Sequence, residues 1–315
     1  MLLPERVLCL VVEFCDPTIR LSLKLVSRAV RQMVLDHDKK VKSLDVLNTY
    51  CHRWETEPAH KSFMDLEQLT AFLYHQFPNL EHLKLRGCPV QLTLSDMVHL
   101  AQYLPKLTSL DIGKEHGVPR AAPNALGALL QFKNLRKLSA DGFWNELVSA
   151  GSRLLLEMPA LQLVSESKEI YFQNQQGLFH FLKALRVRGH RLSEIESLRV
   201  GSNLKFRPDA GQLEDLMMLL TSQKSLRDVE FGQFHLVDRQ HGQDVLACLL
   251  ALPKLQRLSL THVRCSGMDE EVTPETLEVL ASDLRQLELV NSNIFSDKFL
   301  TLLQERCPLM SVAKA

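Results

Sequence analysis

The sequence predicts an α/β repeat fold in which short parallel strands alternate with helices, preceded by a small all-helical segment. Three observations predict it. Leucine makes up 61 of 315 residues, about a fifth of the chain. A Leu-x-x-Leu-x-Leu spacing returns at nearly constant steps, and a helix-compatible apolar pattern lies between successive copies.

The spacing appears at Leu80-Leu83-Leu85, Leu107-Leu110-Ile112, Leu135-Leu138-Ala140, Ile195-Leu198-Val200, Leu226-Val229-Phe231, Leu255-Leu258-Leu260 and Leu284-Leu287-Leu289. A degraded copy sits at Leu161-Val164-Glu166, and the first positions step by 27, 28, 26, 34, 31, 29 and 29 residues. The longer steps call for insertions. Val41, Leu44 and Val46 repeat the spacing once more and predict an initial strand.

Helices are predicted over residues 65–77, 95–104, 124–132, 145–157, 212–222, 243–251, 274–281 and 296–306. In the second of these, Met97, Leu100, Ala101 and Leu104 fall on one face. Ser95-Asp96, Pro123-Asn124, Thr273-Pro274 and Ser296-Asp297 supply entry signals. Pro78, Pro105, Pro159, Pro253 and Pro308 lie close to helix ends, because the residue before a proline is pushed out of helical backbone. Residues 48–64 lack periodicity and read as an inserted loop. One repeat cannot bury its leucine face alone, so neighbours must stack.

These residues resemble the leucine-rich-repeat superfamily, in its longer ribonuclease-inhibitor-like or cysteine-containing classes. The resemblance implies a solenoid of about eight to nine repeats, with parallel strands on a concave face and helices on a convex face. Cys88 and Asn203 stand at that family's Asn/Cys position after the strand, whereas the other copies have Glu115, Phe143, Phe234, Val263 and Ser292 there. An irregular solenoid is the expectation.

Residues 1–40 differ from the rest. Val7, Leu8, Val11, Val12 and Phe14 form one apolar helical face; Leu21, Leu23, Leu25, Val26 and Val30 belong to a second helix, with Asp16-Pro17-Thr18 between them. Such a hairpin is too small to bury its own apolar faces. The ordered set Leu3-Pro4, Val7-Leu8, Val11-Val12, Asp16-Pro17 and Leu21 through Arg28 resembles an F-box. That resemblance divides the chain into an F-box-like segment, 1–40, and a repeat domain, 41–315. It implies docking on the Skp-type adaptor and cullin core of Skp–cullin–F-box ubiquitin ligases, through Leu3, Pro4, Val7, Leu8, Val11, Asp16, Pro17, Leu21, Leu25 and Val26. F-box followed by leucine-rich repeats resembles one class of F-box protein over nearly the whole chain, a substrate receptor and not an enzyme. A plain interaction scaffold or an enzyme regulator is the alternative reading.

A strand residue one position away from an inward leucine points to the opposite face. The repeats therefore predict a polar face carrying His82, Lys84, Arg86, Ser109, Asp111, Lys137, Ser139, Asp141, Ser165, Ser197, Arg199, Asp228, Glu230, Arg257, Ser259, Gln286 and Glu288. Its charged members, together with His82, are the candidate substrate contacts. A surface mixed in sign suits protein recognition better than a phosphate track. Loops at 113–123, 165–176, 200–211, 232–242 and 263–273 are further candidates. Trp144 is an anchor if exposed and a packed loop closure if not; packing is the preferred reading.

Composition narrows the classes. Lysine plus arginine and aspartate plus glutamate both number 37, so the formal charge is zero and exerts no general pull on nucleic acid or anionic membrane. No apolar run reaches the roughly 18 residues that would cross a bilayer, and Glu5 and Glu13 interrupt the apolar start, so no signal peptide is expected. Seven scattered cysteines fit reduced thiols in the cytosol or nucleus. The sequence contains no H-E-x-x-H, phosphate-loop or G-x-S-x-G motif, and no cofactor or metal is expected. Cys51-His52 reads as a loop dipeptide and Met217-Met218 as core packing.

Overall fold

The Leu-x-x-Leu-x-Leu spacing is built as a helix exit, a tight turn and a strand. The first leucine of the triplet closes the turn: Leu80 N–H donates to the Phe77 carbonyl, Leu107 to Leu104, Leu135 to Phe132, Leu226 to Gln223 and Leu255 to Leu252, all at 3.0–3.3 Å. The second sits in the strand with its side chain in the core, and the third is buried too, just past the strand at Leu85, Ile112 and Ala140 and within it at Val200, Phe231, Leu260 and Leu289. The computed structural model describes residues 12, 19–20, 23–47, 66–88, 92–113, 124–148, 154–201, 207–233, 235–236, 239–265, 284–292, 295 and 297–314. Two units divide the chain, one ending at Ala140 and one beginning at Asp141.

In the first unit, strands β1 (Ser43–Asp45), β2 (His82–Lys84), β3 (Ser109–Asp111) and β4 (Lys137–Ser139) pair in parallel. Leu44, Leu83, Leu110 and Leu138 lie in one register row and are all buried, as the spacing predicts. Helix α1 (Arg28–Asp38) precedes β1, and between the strands run α2 (Leu66–Gln76), α3 (Leu94–Tyr103) and a 3-10 helix over Ala125–Gln131. Ser27 caps α1 by accepting the Val30 N–H, and Thr93 with Asp96 forms a reciprocal capping box on α3.

The 3-10 helix falls where an ordinary helix is predicted; its Ala125, Leu126, Ala128 and Leu129 are buried all the same, so it fills the same place in the core.

The second unit contains α4 (Trp144–Val148), α5 (Leu154–Glu157), β5 (Gln162–Val164), β6 (Glu169–Phe172), α6 (Gln175–Arg188), β7 (Arg191–Leu192), β8 (Ser197–Val200), α7 (Ala210–Ser222) and β9 (Asp228–Gly232). It continues with β10 (His235–Leu236), α8 (Arg239–Leu250), β11 (Arg257–Thr261), β12 (Arg264–Cys265), β13 (Gln286–Val290), α9 (Asp297–Arg306) and β14 (Ser311–Lys314). Six of its strands form a parallel sheet in the order β6, β8, β9, β11, β13, β14. Helices α6, α7 and α8 pack side by side in sequence order. Leu198, Val229, Leu258 and Leu287 make the buried register row.

Three expectations change here. The segment 165–176 is not a loop throughout: residues Glu169–Phe172 form β6, with Ile170 and Phe172 buried and Glu169 and Tyr171 exposed. Helix α6 was not anticipated, although Asn174 caps it through the Gly177 N–H and Gly189 ends it at φ 64°. The predicted helix over 145–157 contains two short ones, α4 and α5. The 34-residue step from Leu161 to Ile195 is thereby explained, since it holds three strands, β5 and β6 before α6 and β7 after it, with β8 following at Ser197. β5 pairs with β7 and β6 with β8. The helix predicted over 274–281 and the inserted loop over 48–64 lie outside the described residues.

A left-handed residue stands two positions beyond the last inward strand residue in five repeats. It is Gly87 (φ 71°) and Gly142 (φ 78°) after β2 and β4, then Gln233 (φ 45°), His262 (φ 55°) and Asn291 (φ 49°) after β9, β11 and β13. The next position is the one held by Asn or Cys in the leucine-rich-repeat family that the sequence resembles. Cys88, Phe143 and Val263 fill it with buried apolar bulk, and Ser292 fills it with hydrogen bonds. Its hydroxyl accepts the Val263 N–H at 3.0 Å and lies 2.8 Å from the Leu260 carbonyl oxygen. Apolar packing or a hydroxyl thus replaces the asparagine ladder.

Candidate protein-binding face

The alternation of each strand sets polar side chains opposite the leucines, and the two units use that face differently. In the first unit His82 is exposed, while Lys84 and Lys137 are half-buried. Lys84 Nζ pairs with Asp45 at 3.1 Å. Arg86 and Asp111, predicted to face solvent, are instead each only 9% exposed. Arg86 Nε donates to Asp111 Oδ2 at 2.9 Å and its terminal nitrogen to Ser139 Oγ at 2.8 Å, while Asp111 Oδ1 accepts the Gly113 N–H at 2.9 Å. A buried charge needs this completeness, since an uncompensated one would cost several kcal/mol. These residues hold neighbouring repeats together and are not available to a substrate.

Asp141 is a second correction. It is buried, and its Oδ2 accepts the Ser167 N–H at 2.9 Å, which fixes the turn before β6. Ser165 is likewise buried and spans to the Glu169 carbonyl oxygen.

On the second unit the register places Glu169, Ser197, Asp228, Arg257, Gln286 and Ser311 in one row across the sheet. Tyr171, Arg199, Glu230, Ser259 and Glu288 lie in the next. Arg199 donates to Asp228 Oδ2 at 3.0 Å; Arg257 reaches the same oxygen at 3.8 Å and Glu288 at 3.7 Å, and Ser259 Oγ bonds Glu288 at 3.1 Å. The Asp228 hydrogen bond raises the Arg199 pKa above its ordinary value; partial burial opposes this, while the charges of Asp228, Glu169 and Glu230 reinforce it. Arg199, Asp228, Glu230, Arg257 and Glu288 therefore come together on one surface, half-exposed. Glu169 and Tyr171 join them through β6. Their signal was the alternation Glu-Ile-Tyr-Phe, apolar at every second residue.

Of the adaptor-docking positions, Leu3, Pro4, Val7, Leu8, Val11, Asp16, Pro17 and Leu21 lie outside the described residues. Leu25 and Val26 are 88% and 69% exposed on the turn before α1. The same turn is fastened from within: Lys24 Nζ donates to Asp38 Oδ2 at 2.8 Å and to Gln76, and Arg20 lies 3.5 Å from Asp38, itself buried. Anchoring the basic side chains inward leaves the two aliphatic ones outward.

Trp144 is packed, meeting Phe181 edge-on at 5.7 Å. Met218 corrects another expectation, being 53% exposed on α7. Cys51 and His52 are outside the described residues, as are most of the candidate loops at 113–123 and 263–273. Among the described residues, no group of His, Cys, Asp or Glu could hold a metal ion, and no helix is long and apolar enough to cross a membrane.

Parallel strands, recurring leucine triplets and intervening helices define an α/β repeat fold. No family model matches the chain, and no curated protein matches its sequence. Among solved structures, an internalin from Listeria monocytogenes is similar at 16% identity and a TM-score of 0.34, over 94% of this chain and 92% of that one.

Proposed function

We propose that this chain is the substrate-recognition subunit of a Skp–cullin–F-box ubiquitin ligase, with residues 1–40 docking the adaptor and residues 41–315 holding a target protein. The observation that carries the reading is the ordered F-box-like set of residues ahead of the repeats. Leu25 and Val26 add support: two large aliphatic side chains on a turn fastened by Lys24 are expensive to leave in water unless something covers them. The chain does no chemistry itself. It works by proximity, raising the local concentration of target lysines near the charged ubiquitin carrier. This function places it in the cytosol or nucleus and requires no cofactor, nucleic acid or membrane.

The test is a pull-down with purified adaptor. Wild type is retained, whereas Leu3→Ala/Pro4→Ala and Leu25→Asp/Val26→Asp are not, although circular dichroism shows both variants folded. A folded wild type that fails to bind the adaptor would leave only a repeat-protein scaffold.

A further inference from the structure

We propose that the strand face of the second unit docks a lysine- or arginine-rich segment of the protein partner. The inference rests on the chain being a protein-binding repeat protein and is independent of the adaptor. Glu169, Asp228, Glu230 and Glu288 place four carboxylates on that face against the two cations Arg199 and Arg257. Both cations are already engaged, Arg199 by Asp228 and Arg257 between Asp228 and Glu288. The carboxylates of Glu169 and Glu230 enter no ion pair among the described residues, so the surface offers surplus negative charge.

A second observation points the same way. Asp228 spends a single oxygen, Oδ2, on both arginines, and its Oδ1 is shielded from solvent without a donor. Ser197, opposite Asp228 in register and only 5% exposed, has a hydroxyl with no partner. A shielded acceptor without a donor is costly, and an arriving ammonium or guanidinium supplies the missing donors. The Nε atoms of Arg199 and Arg257 are also unpartnered, but both already sit among carboxylates, which disfavours an acidic ligand. Tyr171, 52% exposed on the edge strand β6 and in the row of Arg199 and Glu230, offers an aromatic ring to an incoming cation.

The experiment titrates the full chain into a fluorescein-labelled Arg/Lys/Ser peptide and a matched Asp/Glu/Ser peptide, read by anisotropy at low and physiological salt. The basic peptide binds, added salt weakens it, and Glu230→Gln lowers affinity about fivefold. Lys84→Gln, on the first unit, leaves binding unchanged. No binding of the basic peptide, equal binding of the acidic one, or no effect of Glu230→Gln in a folded variant would overturn the proposal. Adaptor binding without peptide binding removes this inference alone; peptide binding without adaptor binding removes the ligase reading alone.

Discussion

The two units run the same repeat with opposite priorities. In the first, two charged residues of the strand face turn into the structure: Arg86 and Asp111 close a buried network with Ser139 across three successive strands. In the second, equivalent register rows carry Arg199, Asp228, Arg257 and Glu288 half-exposed, with longer contacts and some polar atoms left unpartnered. The difference teaches that a polar residue at an outward strand position is not thereby a binding residue. Whether it stabilises or recognises depends on how completely its neighbours satisfy it.

Breaking both networks measures that contrast most directly. Asp111→Ala strands a buried guanidinium and costs about 3 kcal/mol of stability. Asp228→Ala removes a partner from half-exposed arginines that water can reach, and costs about 1 kcal/mol or less. Urea midpoints of the two variants separate the cases; equal losses would mean the two faces do the same work.

A smaller effect comes from His190, whose burial lowers its pKa below the ordinary 6.5 while its hydrogen bond to the Leu155 carbonyl resists the shift. Its Nδ1 accepts the Leu161 N–H at 2.9 Å, and Nε2 faces the Leu155 oxygen at 2.8 Å. The neutral ring therefore ties β5 to the turn ahead of β7. Because the folded state holds the proton less tightly than the unfolded one, this stability is complete above pH 6.5. It is lost as pH falls through the lower folded value. Protonation also removes the acceptor that Leu161 needs. His190→Ala leaves that buried N–H unpaired, costs roughly 2 kcal/mol at neutral pH, and flattens the acid limb of a denaturation series between pH 7 and pH 4.

Much of this fold was legible, because its leucines must recur wherever a strand crosses the core. Leu44, Leu83, Leu110 and Leu138 could be paired from spacing alone. Helix α6 is not legible from the triplets, because the 34-residue step breaks their period; only Asn174 and Gly189 at its two ends mark it. The site was less legible. Strand alternation says which way Asp111 and Asp141 point, but not that Arg86 and the Ser167 N–H lie within reach. Such burial depends on neighbours about 25 residues away in sequence, beyond any local pattern.

The smallest difference between the units lies in their turns. Both bend the chain through a left-handed residue after the strand; it is glycine at Gly87 and at Gly142, the second residue of the second unit, whereas the later repeats of that unit use Gln233, His262 and Asn291. A side chain at positive φ crowds the backbone, and glycine avoids that crowding. Gly87→Ala is therefore expected to destabilise by about 1 kcal/mol. His262→Gly, on an exposed turn whose N–H still donates to the Val290 carbonyl at 2.7 Å, is expected to stabilise by about 0.5–1 kcal/mol. Thermal melting of both variants checks the pair. If His262→Gly is neutral or harmful while Gly87→Ala costs stability, the imidazole itself contributes to the second unit, and the three non-glycine turns belong with its half-exposed polar face.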